Sequence, residues 1–130
     1  MTANSTLLDR DDWRGTLADA VNEDSEFARA CERVDGSMTL VIGDERAWFK
    51  LYRGEMIDEE PYVPAFGATF RLVGGRGAWD ALLQGETALS EAMYRGSIRS
   101  EGNTLEANRL REALELLVRH MQRLSEEEDE

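Results

Sequence analysis

The spacing of apolar side chains changes several times along this chain, and each change marks a new element. Trp13, Leu17, Ala20 and Val21 share one helical face, which predicts a helix over Asp9–Val21. Asp9, Asp11 and Asp12 sit near its start, where carboxylates favour the helix dipole. Asn22 is the expected stop. Asp24 is an N-cap for a second helix reaching Arg33, which buries Phe27 and Cys31. After the Asp35-Gly36 turn signal the period drops to two. Met38, Leu40 and Ile42 alternate with Ser37, Thr39 and Val41. Beyond Gly43-Asp44, Ala47, Phe49 and Leu51 alternate with Arg46, Trp48, Lys50 and Tyr52. This is a β-hairpin with one core face. The other face carries Trp48 and Tyr52 among polar groups, either as cover beneath another element or as a homodimer interface.

Arg53 to Pro64 reads as a connector, with a short edge strand at Met56-Ile57 and an acidic stretch, Asp58-Glu59-Glu60, before Pro61. A strand over Ala65–Val73 places Phe66, Ala68, Phe70 and Leu72 on one face. Gly74-Gly75-Arg76-Gly77 turns the chain into a short helix, Ala78–Gln84. There Trp79, Leu82 and Leu83 point inward and Gly85 suits the C-terminal cap. A further helix, Leu89–Tyr94, buries Leu89 and Met93, with Tyr94 a further inward candidate, and stops at Gly96; Ser97–Glu101 is a strand with Ile98 inward. The last helix has the strongest signature. Asn103 and Glu106 stand as in a capping box. Leu110, Leu114, Leu117, Met121 and Leu124 follow one face, with Ala113 and Val118 at its edges. Residues 1–124 read as one domain and Ser125–Glu130 as a disordered acidic tail. Together these elements predict an α+β fold.

Composition changes the picture in three places. The formal charge of −12 disfavours nucleic acid and anionic membrane surfaces as partners, because the long-range field repels both. Lys50 is the only lysine among the 15 basic residues, which fits a GC-rich genome or, more sharply, an acidic surface that stays hydrated in strong salt. Cys31 is the only cysteine, so no internal disulfide forms, which suits a reducing, cytoplasmic setting and a buried structural thiol. Residues 1–8 lack the basic start and apolar run of a signal peptide, and no stretch reaches the ~20 apolar residues of a membrane span.

Candidate chemistry is sparse. His120 has no Ser or Cys partner in a recognisable motif, and its place near a helix C-terminus fits dipole complementation. The glycine run at 74–77 lacks the Lys-Ser/Thr of a phosphate loop and reads as a turn. Glu101 before Gly102 reads as structural, accepting backbone N–H groups in the turn. No nucleophile–base pair and no metal-ligand spacing stands out, so neither a cofactor nor a metal is expected.

One ordered set of residues is more specific than its parts. Phe70–Val73, Gly74, Trp79, Leu82-Leu83, Gly85-Glu86, Met93, Gly96, Ile98, Glu101-Gly102 and Leu105 onward resemble the C-terminal half of the sterol carrier protein type-two family of lipid-carrier domains. The hairpin Met38–Tyr52 and the two N-terminal helices fit the family's order, so the resemblance covers Trp13 to Met121. Departures are the extra glycines at 74–77, Gly67-Ala68 where the family often has an Asp, and a Glu-Glu-Glu-Asp-Glu ending in place of a peroxisomal signal. The resemblance implies a mainly antiparallel five-stranded sheet with helices packed on one face. It implies an apolar tunnel between the two layers for a fatty acyl chain, acyl-CoA or sterol-like molecule, with no covalent chemistry. The closing helix would form part of the tunnel wall or lid.

The side chains placed to line that tunnel are Phe49, Leu51, Phe70, Leu72, Trp79, Leu83, Met93, Ile98, Leu110, Leu114, Leu117 and Met121. Ordinary core packing explains each of them equally well, and a filled core would make the chain an interaction or dimerisation module instead. Arg76, beside a helix N-terminus, is the head-group candidate ahead of Arg71, Arg95 and Arg99. Burial stabilises by ~0.8 kcal/mol per methylene, so an acyl chain binds usefully without a catalytic group.

Overall fold

The computed structural model describes residues 7–65 and 67–127. After a 3-10 turn, Leu7–Asp9, the elements are α1 (Trp13–Asn22), α2 (Ser25–Ala30), β1 (Asp35–Ile42), β2 (Glu45–Tyr52), β3 (Glu55–Glu60), β4 (Phe70–Gly74), α3 (Arg76–Leu83), α4 (Leu89–Arg95), β5 (Ile98–Gly102), α5 (Thr104–Arg109) and α6 (Arg111–Glu127). The strands form one sheet in the order β3-β2-β1-β4-β5.

The alternation in β1 and β2 pairs as the sequence predicts, with Met38 opposite Phe49 and Leu40 opposite Ala47. The sheet is mixed, however. β2–β3 and β4–β5 are also antiparallel, but β4 lies parallel to β1, with Met38 beside Phe70 and Leu40 beside Leu72. The cause is topological: β3 occupies the edge beyond β2, so the chain must cross the sheet to reach the free side of β1. That crossing consumes the first half of the expected strand. β4 starts at Phe70 rather than Ala65, and residues 61–69 form the connection; Phe66 lies outside the described residues.

The crossover runs over the face away from the helices, where Gly67, Ala68 and Thr69 share a hollow with Trp48 and Lys50. Trp48 is therefore buried at 2% exposure, covered by another element as the first of its two readings had it, though by the crossover rather than a helix, while Tyr52 stays 40% exposed. The opposite face carries Met38, Leu40, Ile42, Phe49, Leu51, Phe70, Leu72 and Ile98 into one apolar core with the helices. Trp13 of α1 meets Phe49 edge to face at 6.2 Å. Asn22 does more than stop α1. Its side-chain amide donates to Met56 O at 3.0 Å and accepts from Met56 N at 2.8 Å, beside the register shift in the β2–β3 ladder.

Several boundaries move. The first helix starts at Trp13 rather than Asp9, the second ends at Ala30, and on α4 Ala92 turns inward while Tyr94, an inward candidate, is 92% exposed. Asp24 caps α2 as expected, accepting from Glu26 N at 2.9 Å. Gly85 and Gly96 close α3 and α4 as expected, each in a left-handed conformation. Asn103 accepts from Glu106 N at 3.0 Å, so the expected N-cap forms. The last helix nevertheless breaks at Leu110 into α5, packed on β4 and β5, and α6, packed on α1, α2 and α3. α6 also runs past Leu124 to Glu127, and Ser125 Oγ accepts from Leu7 N at 3.3 Å. The first three residues of the expected acidic tail are thus helical, and 128–130 lie outside the described residues.

Trp79 anchors α3 to the sheet by donating from Nε1 to Val41 O at 3.0 Å. Gly74 makes that approach possible: a Cβ there would sit 3.0 Å from Ile98 Cγ1 and Ser97 O and 3.2 Å from Trp79 Nε1. Gly74→Ala is expected to destabilise by about 1–3 kcal/mol through overpacking, read as a lowered Tm in thermal unfolding. An unchanged Tm contradicts the tight packing.

Candidate ligand site

At the start of β1 the core opens into a cavity of about 270 Å³. The turn after α2 brings Arg33 and Val34, β1 brings Asp35, Gly36 and Ser37, and β2 brings Leu51. Thr69 and Phe70 enter at the end of the crossover, and Glu106 and Leu110 come from α5 and the break behind it. Val34, Leu51, Phe70 and Leu110 are all buried and make an apolar floor. The rim is polar. Asp35 is paired with Lys50 at 2.9 Å and Glu106 with Arg109 at 3.4 Å, whereas Arg33 makes no ion pair with a described residue.

Three of the twelve predicted tunnel residues, Leu51, Phe70 and Leu110, meet at this cavity. Phe49, Leu72, Trp79, Leu83, Ile98, Leu114, Leu117 and Met121 are packed behind it in the continuous core, and Met93 is half-buried at the core's margin. None of these nine lines the cavity or the larger surface hollows. Arg76 lies at the other end of β1, beside Gly43, roughly 20 Å away by strand rise. Its guanidinium is held by Asp80 at 2.9 Å and Asp9 at 3.0 Å. Arg71 and Arg99 both donate to Glu101, and Arg95 pairs with Glu91. Glu101 therefore accepts from side chains rather than from backbone N–H groups of the turn, and the Arg99 and Arg71 hydrogen bonds hold its carboxyl below the usual range.

Sequence reasoning missed Arg33, Val34, Thr69 and Glu106 as lining residues. Arg33 falls at the end of a predicted helix and Thr69 inside a predicted strand, so periodicity assigned both to regular elements. Only the break at Leu110, the early end of α2 and the late start of β4 bring them together.

His120 does not act as a free dipole complement. It is buried, and Arg123 Nη2 lies 2.7 Å from its Nδ1. A guanidinium only donates, so Nδ1 accepts, and Nε2–H faces Asp24 Oδ2 at 2.7 Å. The pair ties α6 to the N-cap of α2. The His120 hydrogen bond holds Asp24 below its ordinary value of 3.8, with help from backbone N–H groups of Glu26 and Phe27 and against the effect of burial. A carboxylate with a depressed folded-state pKa contributes stability that is complete above the unfolded value and is lost as pH falls through the folded one. Asp24→Asn should therefore lower Tm at neutral pH, and the gap to the unaltered protein should close once the pH drops well below 3.8. A gap of constant size across an acid titration contradicts the His120–Asp24 hydrogen bond.

Cys31 is buried, donates from Sγ to Phe27 O at 3.2 Å, and is pushed up to about 11 by burial. Thiol reagents at neutral pH should label it only as fast as the protein opens. Labelling at the rate of a small free thiol would show an exposed site. Among the described residues no group of three or more His, Cys, Asp or Glu side chains is placed to hold a metal ion, and no helix is long and apolar enough to cross a membrane.

The sequence matches no protein-family model and no curated protein. Solved structures do match. A conserved hypothetical protein from Thermus thermophilus, TT1886, described as a possible sterol carrier protein, superposes with a TM-score of 0.78 at 17% identity, over 95% of this chain and 93% of that one. A crystal structure of sterol carrier protein 2 gives 0.78 at 18% identity, over 89% and 98%. Palmitated SCP2L2 from Aedes aegypti gives 0.50 at 17% identity, over 75% and 89%. The chain has the sterol carrier protein 2 fold.

Proposed function

We propose that this chain binds a single apolar chain ending in a carboxylate, such as a fatty acid, and carries it without covalent chemistry. One observation carries the reading: an apolar floor of Val34, Leu51, Phe70 and Leu110 with the charge of Arg33, which has no ion pair among the described residues, on its rim. The floor supplies binding through burial of methylenes. Arg33 supplies a planar donor pair for a carboxylate. Of the arginines flanking α3, α4 and β5, Arg76 and Arg71 already serve protein carboxylates, as do Arg95 and Arg99.

The size of the cavity selects among the ligands expected from the family resemblance. Its 270 Å³ lies just under the ~300–1,000 Å³ typical of drug-sized sites. A single chain enters it more readily than a sterol nucleus. α5 is the movable wall. It has six residues, its buried apolar anchors are Ala107 and the following Leu110, and Leu105 is 70% exposed. Palmitate carried by a neighbour of the same fold is consistent with this class of ligand. A filled-core interaction module accounts for the nine packed residues but leaves the cavity and Arg33 without a role.

Native mass spectrometry and displacement of a fluorescent fatty acid test the reading. Palmitate should bind, and Arg33→Glu should weaken it by about fivefold, the worth of ~1 kcal/mol for a solvent-facing ion pair. The methyl ester of the same acid should not respond to Arg33→Glu. Absence of fatty-acid binding, or equal effects on acid and ester, overturns the assignment.

A further inference from the structure

The cavity is too short for the chains it is proposed to hold. At about 30 Å³ per water-sized group, 270 Å³ takes about nine such groups, fewer than the carbons of palmitate. The surplus cannot go deeper, because Phe49, Leu72, Trp79 and Ile98 close the core behind the floor. One wall is different. β1 is paired with β2 from Asp35 onward, but with β4 only from Met38 onward. Along Asp35–Ser37 β1 has no ladder partner on the β4 side, and Thr69 closes the corner together with Gly67, whose carbonyl accepts from Ser37 Oγ at 3.5 Å. Thr69 N donates to Ser37 O at 2.9 Å, and Thr69 Oγ1 accepts from Ser37 N at 3.2 Å.

A second hollow, of about 670 Å³, lies on the far side of that corner, on the outer face of the sheet. It shares Asp35, Gly36, Ser37 and Thr69 with the inner cavity, and its own apolar walls are Trp48, Ile57 and Ala68. Ile57 is 53% exposed, an apolar side chain next to a register shift in an edge strand whose other exposed or half-exposed residues are acidic. Gly36 is the thinnest point between the two spaces. A Cβ on Gly36 would stand 2.8 Å from Thr69 Oγ1, so the wall there is closed by the Thr69 side chain and a side chain on residue 36 would hold that hydroxyl out of its place.

We propose that long ligand chains pass from the inner cavity through the thin sheet corner at Gly36 and Thr69 when the Thr69 side chain moves, and lie on the outer face against Ile57 and Ala68. This rests on the fatty-acid reading and adds a second binding surface to it. The carboxylate stays at Arg33, the first carbons lie on Val34, Leu51, Phe70 and Leu110, and the distal carbons lie outside the sheet. Thr69 swings aside to admit the chain, exchanging its side-chain bond to Ser37 N for contact with methylenes. The outer hollow offers its one lysine, Lys50, already paired with Asp35, so it accepts the apolar end and not the head.

The test is affinity against chain length, from octanoate to stearate, by calorimetry or displacement of a fluorescent fatty acid. In the unaltered protein each added methylene should tighten binding about fourfold, continuing beyond the length that fills the inner cavity. In Gly36→Ala the gain should stop near that length. Ile57→Glu, at an exposed position that leaves folding intact, should weaken stearate on the order of tenfold relative to octanoate. Circular dichroism checks that Gly36→Ala is folded, and Ile57→Glu keeps the test decisive if it is not. A gain that stops at the same length in the unaltered protein, or that is unaffected by both substitutions, overturns the passage while leaving the fatty-acid reading intact. Failure of every acid to bind overturns that reading, and the passage with it.

Discussion

The parallel pairing of β4 with β1 governs this structure. A hairpin needs only a tight turn, but a parallel neighbour needs the chain to travel the length of a strand and return. Here β3 takes the far edge, so residues 61–69 must cross the outer face before β4 can begin. That crossing buries Trp48, shortens β4 and leaves the first three residues of β1 with a ladder partner on the β2 side only, Ser37 being tied on the other side to Thr69. It also places Val41 O where the indole of Trp79 reaches it, and so fixes α3 against the sheet.

The candidate site is a product of the same constraint. A ladder that starts late leaves an unfilled corner, and the break at Leu110 leaves an unfilled roof. α5 must follow the sheet to which Asn103 and Gly102 deliver it, whereas α6 must cover α1, α2 and α3. One straight helix cannot satisfy both. The elbow between them makes room that the apolar stripe alone would have closed.

Charge works locally rather than globally. The net charge of −12 says little about the cavity. Half of the fourteen arginines have a carboxylate partner among the described residues, and these pairs brace surfaces: Arg14 to Glu59 between α1 and β3, Arg71 and Arg99 to Glu101 across β4 and β5, Arg76 to Asp80 on α3. Exposed pairs of this kind contribute modestly to stability, but they withdraw cations from ligand recognition. Arg33 is outside those pairs, as several other arginines are, and differs from them in lying on the rim of the inner cavity.

Apolar periodicity was enough to mark the hairpin, α3, α4, the capped start of α5 and the apolar face of α6, because those elements are specified by neighbours three or four residues apart, or two in a strand. The caps at Asp24, Gly85, Gly96 and Asn103 were legible for the same reason: each acts on backbone groups within its own turn. The cavity was not legible. Leu51, Phe70 and Leu110 stood among the twelve candidates, but nothing in their own segments separates them from the nine that are packed away. Arg76 had the better local signature for an anion, yet Asp9, far away in sequence, occupies it, while Arg33 had no signature at all. Local sequence determines which residues turn toward the core. Whether the core closes over them depends on where strands start and helices break, and those are set by contacts between segments that no local pattern encodes.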